Sequence, residues 1–146
     1  MKIFHDSLAT RIEPLIRAID WSIDNGMQLI NLSLGTSNPE HERVLIRSLE
    51  RVRVKGILLI AAFEDGGVRW LPGALPGASP VVIAWDCPRD EYWTSALSDG
   101  RVLYHASGYP RPIPNVPPER NLKGISFAVA NVTGLLAREP WKRDFK

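Results

Sequence analysis

Ser126 follows Gly124 and Ile125 and opens the run SFAVANVTG, a stretch of small and apolar residues. A serine there, at the start of a predicted helix, has the setting of a nucleophile in acyl-transfer chemistry. Its hydroxyl is a weak nucleophile until a base lies within hydrogen-bond reach and a third group orients that base. The chain offers three histidines, His5, His41 and His105. His5 precedes Asp6, so the two read either as a base with its carboxylate or as the polar end of a strand. His41 falls in the first turn of a predicted amphipathic helix, a surface position. His105 falls at the end of a predicted strand.

Other chemistries find less support. The one cysteine, Cys87, excludes an internal disulfide framework and a thiolate metal cluster. Glu64-Asp65-Gly66-Gly67 has no second acidic cluster at metal-ligand spacing, so no metal or other cofactor is expected. The stretch GVRWLPG lacks the Lys-Ser/Thr pair of a phosphate loop. No basic stripe with interleaved aromatics suggests nucleic acid, and a formal charge of +2 is too small to argue for it.

The elements that must position these residues follow from apolar period. Lys2 to Phe4 is a short apolar start with strand character. Thr10 and Glu13 have capping-box spacing and Pro14 is tolerated in a first turn. Ile12, Leu15, Ile16, Ile19 and Ile23 continue at helical period until Asn25-Gly26. Met27 to Leu34 reads as a buried strand. Asn38-Pro39 opens a second helix with Leu45, Leu49 and Val52 as its apolar stripe, ended by Gly56. Ile57 to Phe63 is a strand-length apolar run, Glu64 to Pro80 a loop, Pro80 to Trp85 and Arg101 to Ala106 two more strands. Ser107 to Asn121 is a proline-dense loop, and a last helix runs from Ile125 to before Pro140. Strand-helix alternation of this kind predicts an α/β fold in three layers around a mostly parallel sheet.

At 146 residues the chain is read as a single domain spanning 1–146. The start MKIFHDSLATRIEP has charge and proline where a signal peptide needs an apolar run, and no window reaches transmembrane length. A soluble, cytoplasmic protein without a membrane partner is the expectation. Of the five tryptophans, Trp21 and Trp85 lie in predicted elements and are expected in the core. Trp70 and Trp93 lie in or near loops.

The order of these segments resembles the C-terminal half of the subtilisin-like serine peptidases. Ala18 to Gly35 resembles that family's helix and strand ending in the Ser-Leu-Gly substrate-binding segment, here Ser33, Leu34 and Gly35. Gly56 to Gly67 resembles the strand that carries the oxyanion-hole asparagine, with Ala62 on the substrate side. Leu71 to Trp85 resembles the proline-bearing loop and its following strand. His105 to Gly108 sits at the family's Ala-Pro-Gly, and Gly124 to Gly134 falls on the nucleophile motif with Ser126 as its serine.

The resemblance implies a subtilisin-like fold lacking the N-terminal strands. It places Asp65 at the oxyanion position and Glu64 at a glycine that leaves room for the substrate side chain. Asp65 would put negative charge where negative charge must develop, and Glu64 would narrow or reverse the pocket. The family's catalytic Asp and His precede the matched region, so Ser126 is the triad member that carries over. His105 is then the nearest substitute base, because its strand's partner loop approaches the active region in the family.

The expectation is a subtilisin-like protein, proteolytically inactive alone, that binds a peptide or protein partner or serves as a maturation subunit. The alternative is a serine peptidase with nucleophile Ser126, activated when another chain supplies His and Asp. With Lys2 to Phe4 left as an edge strand, a homo- or hetero-oligomer through that edge is expected, with local rearrangement of the N-terminal segment as the other resolution.

Overall fold

A computed structural model describes residues 11–139. Helix α1 (Ile12–Asp24) buries Leu15, Ile19 and Ile23, one stripe at four-residue spacing. It ends where Gly26 takes a positive φ of 70° that most side chains would resist. Asn38 caps a single 3₁₀ turn at Pro39–His41, its Oδ1 accepting from the Glu40 N–H at 3.0 Å. Helix α2 (Glu42–Val54) continues from that turn and buries Leu45, Leu49 and Val52. Arg51 of α2 pairs with Asp20 and Asp24 of α1, but at 46% exposure it fixes geometry more than it adds stability.

Among the described residues five strands form the main sheet: β1 (Leu29–Leu32), β2 (Leu58–Ala62), β5 (Ser79–Ile83), β6 (Trp93–Ala96) and β7 (Val102–Ala106). Their spatial order is β1-β2-β5-β7-β6, the first four parallel and β6 antiparallel to β7. A two-stranded hairpin, β3 (Glu64–Asp65) with β4 (Val68–Arg69), stands apart from it.

Alternation along β2 sends successive side chains to opposite layers. Leu59 and Ala61 pack with α1 and α2. Ile60 packs on the other side with Val81, Ala106 and helix α3 (Ile125–Leu136). The small residues of α3, with Ala128, Val129 and Val132 fully buried, let it lie close against the sheet. The result is the three-layer α/β architecture with a mostly parallel sheet.

Between β4 and β5 the chain passes through a cis Leu71-Pro72 bond to Gly73. A Cβ on Gly73 would lie 2.0 Å from the Ala62 carbonyl oxygen, so glycine is required for the loop to press against the end of β2.

Several expectations change. Trp21 and Trp85 are each 51% exposed, not core residues. Trp21 sits two residues from Ile19, about 200° round the helix and away from the buried stripe. Trp85 lies beyond the last paired residue of β5 and stacks edge-on against Tyr109 at 5.2 Å. The stretch read as loop from Glu64 contains the hairpin, and β6 joins the sheet from a segment without a predicted element, where Trp93 is read as in or near a loop. Lys2 to Phe4, His5, Asp6, Thr10 and Trp141 lie outside the described residues. Among the described residues, no helix is long and apolar enough to cross a membrane.

Candidate functional site

The carboxyl ends of β1 and β2 and the amino end of α3 converge. Parallel α/β sheets place ligand sites in such crevices. Ser33, Leu34 and Gly35 leave β1, Ala62 ends β2, and Ile125 and Ser126 open α3; Trp70 and Val129 complete the lining of a pocket of about 290 Å³. Ser126 is exposed in the first helical turn, where backbone N–H groups have no intrahelical acceptor.

Two hydrogen bonds cross this crevice reciprocally. Ser33 Oγ donates to the Ser126 carbonyl at 3.2 Å, and Ser126 Oγ donates to the Ser33 carbonyl at 3.4 Å. Asn31 Nδ2 donates to Ser33 Oγ at 3.2 Å, and the Thr133 hydroxyl lies 3.0 Å from Asn31 Oδ1. This polar chain ties β1, the edge strand among the described residues, to α3 and orients Ser33. The Ser126 hydroxyl is thus engaged by a carbonyl, an acceptor that cannot take its proton.

Trp70, read from the sequence only as a tryptophan in or near a loop, is a wall of this pocket. Its backbone N–H donates to the Phe63 carbonyl at 2.9 Å, and the next residue, Leu71, exchanges backbone hydrogen bonds with Thr36 at 2.8 and 3.0 Å. The bridge brings the indole against Gly35, where a Cβ would lie 3.3 Å from Trp70 Cε3 and 3.0 Å from the Leu71 carbonyl. No local sequence signal announces a pairing between residues so far apart. Val129 had one, since a three-residue step from Ser126 keeps both on one helix face.

The remaining predicted site residues lie elsewhere. Glu64 and Asp65 are exposed on the hairpin, opposite Arg69 and Val68, and neither lines the pocket. The antiparallel turn carries them away from the crevice and returns Trp70 to it, so the wall expected of Glu64 is the indole. His105 lies on β7, where its Nε2 is 2.8 Å from Ser95 Oγ. His41 is half-buried in the 3₁₀ turn. Among the described residues, no three His, Cys, Asp or Glu side chains gather as metal ligands.

Comparison with known proteins agrees with this fold. The chain is 34% identical over 87 residues to the minor extracellular protease Epr of Bacillus subtilis (strain 168), a match covering 60% of this chain and 13% of Epr. The solved structure of the prenylagaramide maturation protease PagA superposes with a TM-score of 0.65 at 26% identity, over 90% of this chain and 50% of that one. The patellamide maturation protease PatA gives a TM-score of 0.63 at 24% identity, over 92% of this chain and 52% of that one. The chain therefore spans about half of each of these solved structures and a smaller share of Epr. No protein-family model matches it.

Proposed function

This chain is a subtilisin-like protein matching about half of a protease domain of that kind, and on that premise we propose that it is a peptide- or partner-binding subunit in maturation. It holds an extended peptide against Ser33, Leu34 and Gly35 and does not cut it on its own. The observation that carries this reading is the pairing of Ser126 Oγ with the Ser33 carbonyl inside an uncharged pocket, while the His105 imidazole is engaged with Ser95. The likeness to a prenylagaramide maturation protease supports placing the activity in the maturation of a peptide product.

The exposure of Ser126 in the first turn of α3 favours a second reading. There, a partner chain supplies His and Asp, and Ser126 Oγ attacks a peptide carbonyl as its proton passes to the supplied imidazole. A fluorophosphonate separates the two. The binding reading expects no labelling of Ser126 with the chain alone or mixed with products of neighbouring genes, and a Ser126→Ala variant that keeps its biological function. Labelling that disappears in Ser126→Ala establishes the enzyme instead.

A further inference from the structure

Between β7 and α3 every residue from 111 to 120 is exposed. Within and just beyond this stretch Ile113, Val116 and Leu122 are 50%, 37% and 73% exposed, three aliphatic side chains on one connection left uncovered among the described residues. The loop is nevertheless built to hold its shape. Asn121 Nδ2 donates to the Arg111 carbonyl across its base at 3.3 Å, and the Gly124 N–H donates to the Gly108 carbonyl at 2.9 Å. Asn131 of α3 donates to the carbonyls of Ser107 and Tyr109 at 2.9 and 3.0 Å. Inside the loop the Val116 N–H closes a turn onto Ile113 at 3.1 Å, with Asn115 at a φ of +63°. Prolines at 112, 114, 117 and 118 fix φ and leave no N–H to satisfy, so little ordering remains to be done on binding. Compact loops closed at the base and presenting their own side chains are a frequent site of function.

The charges carried by the same connection have one predominant sign. Arg111, Arg120 and Lys123 face one acid in the same segment, Glu119. At the loop's root the Tyr109 ring meets the exposed Trp85 edge-on, with Asp86 beside it. Exposed aliphatic and basic side chains carried on one connection, rooted at an aromatic pair, have the composition of a docking surface with a charged rim.

We propose that this loop docks an acidic peptide segment bearing aliphatic side chains, whose carboxylates meet Arg111, Arg120 and Lys123 while its apolar residues cover Ile113, Val116 and Leu122. The proposal extends the peptide-binding reading but uses a surface outside the Ser33–Ser126 pocket.

The full chain is titrated by fluorescence anisotropy with a labelled Glu-Glu-Leu repeat peptide and with its Lys-Lys-Leu and Glu-Glu-Ser counterparts, at low and high salt. The acidic, leucine-bearing peptide binds about ten-fold or more tightly than either counterpart, and salt weakens it. The triple variant Arg111→Glu, Arg120→Glu, Lys123→Glu loses that affinity, as does Ile113→Ser with Leu122→Ser. All five positions are surface ones, so unchanged melting verifies each variant's fold. In the unaltered chain, amide exchange slows across 109–123 when the peptide is present, a readout needing no variant. Ser126→Phe, which fills the pocket, leaves this binding intact while abolishing any binding at the cradle, so the two readings fail separately. Absence of binding, equal binding of all three peptides, or binding that survives the charge reversal overturns the proposal.

Discussion

Ser126 and Ser95 lie toward the two ends of the strand order, and each has what the other lacks. Ser126 opens a helix and lines an apolar pocket, yet its hydroxyl is hydrogen-bonded to the Ser33 carbonyl. Ser95 has an imidazole at 2.8 Å, yet it sits exposed on the antiparallel edge strand β6, outside that pocket. A base within reach and a shaped pocket are separate requirements, and here a Ser–His contact and a serine-lined pocket lie in separate parts of one sheet. The resemblance is legible at the first serine because a pocket needs many residues. A Ser–His contact needs only two.

Two side chains tie these regions together, and removing them tests how far the regions depend on each other. The larger effect belongs to Arg101, the residue before β7. Its Nη1 donates to the carbonyls of Gly73, Leu75 and Ala78 at 3.1, 2.7 and 3.4 Å, its Nη2 to Ala74 at 3.3 Å, and its Nε to Asp99 at 2.8 Å. The loop so gathered follows directly from Trp70 and Leu71, the wall of the Ser126 pocket. At 18% exposure the guanidinium is largely shielded, though not fully buried. Arg101→Met should therefore cost about 2–3 kcal/mol, below the range for breaking a fully buried ionic network. Urea unfolding measures the loss. Amide exchange should quicken across 71–78 while the β6–β7 ladder keeps its protection; equal quickening in both would show that the two regions open as one.

The sequence carried much of the sheet and little of this coupling. The runs Ile57 to Phe63 and Pro80 to Trp85 announce parallel strands because a strand covered on both faces has no polar alternation to obscure it. Trp93–Ala96 is exposed throughout and becomes a strand through its pairing with β7, which no local pattern encodes. The cradle residues Ser33, Leu34, Gly35, Ala62 and Ser126 were legible through resemblance, and they do line one pocket. Trp70 was not, because the Thr36–Leu71 bridge that positions it is made of backbone alone. Trp21 was misplaced because its helix was recognised without its phase being used.

A smaller effect is expected from Tyr92, which precedes β6 and donates its hydroxyl proton to Glu139 Oε1, just past α3, at 2.6 Å. That bond links the strand carrying Ser95 to the helix carrying Ser126. The Glu139 hydrogen bond, with burial and the carboxylate's charge adding to it, pushes the Tyr92 hydroxyl up to about 12. A group whose folded value is raised contributes stability in full below its unfolded value. That contribution is lost as pH climbs through the folded value. Tyr92→Phe should cost about 1 kcal/mol at neutral pH, typical of one hydrogen bond. The gap between variant and parent should close as pH rises from about 10 to about 12. Denaturant midpoints taken across that range test the sign; a gap that widened would mean the pairing with Glu139 is not what holds the proton.

The smallest effect returns to the serines themselves. Ser126→Ala removes a donor from a 3.4 Å bond at an exposed position, and Ser95→Ala removes the partner of an imidazole that water can replace. Each should shift stability by no more than about 0.5 kcal/mol, as surface substitutions usually do. Their difference should appear in dynamics. Ser126 closes a reciprocal pair that spans β1 and α3, so its loss should raise amide exchange at Leu32 to Leu34 and at the start of α3. Ser95 and His105 sit on strands already joined by a four-residue ladder, and there exchange should stay as it was. If Ser95→Ala loosened β6 as much as Ser126→Ala loosened the cradle, the imidazole contact would be holding the edge strand in place. The contrast between a built crevice and an incidental contact would then fall.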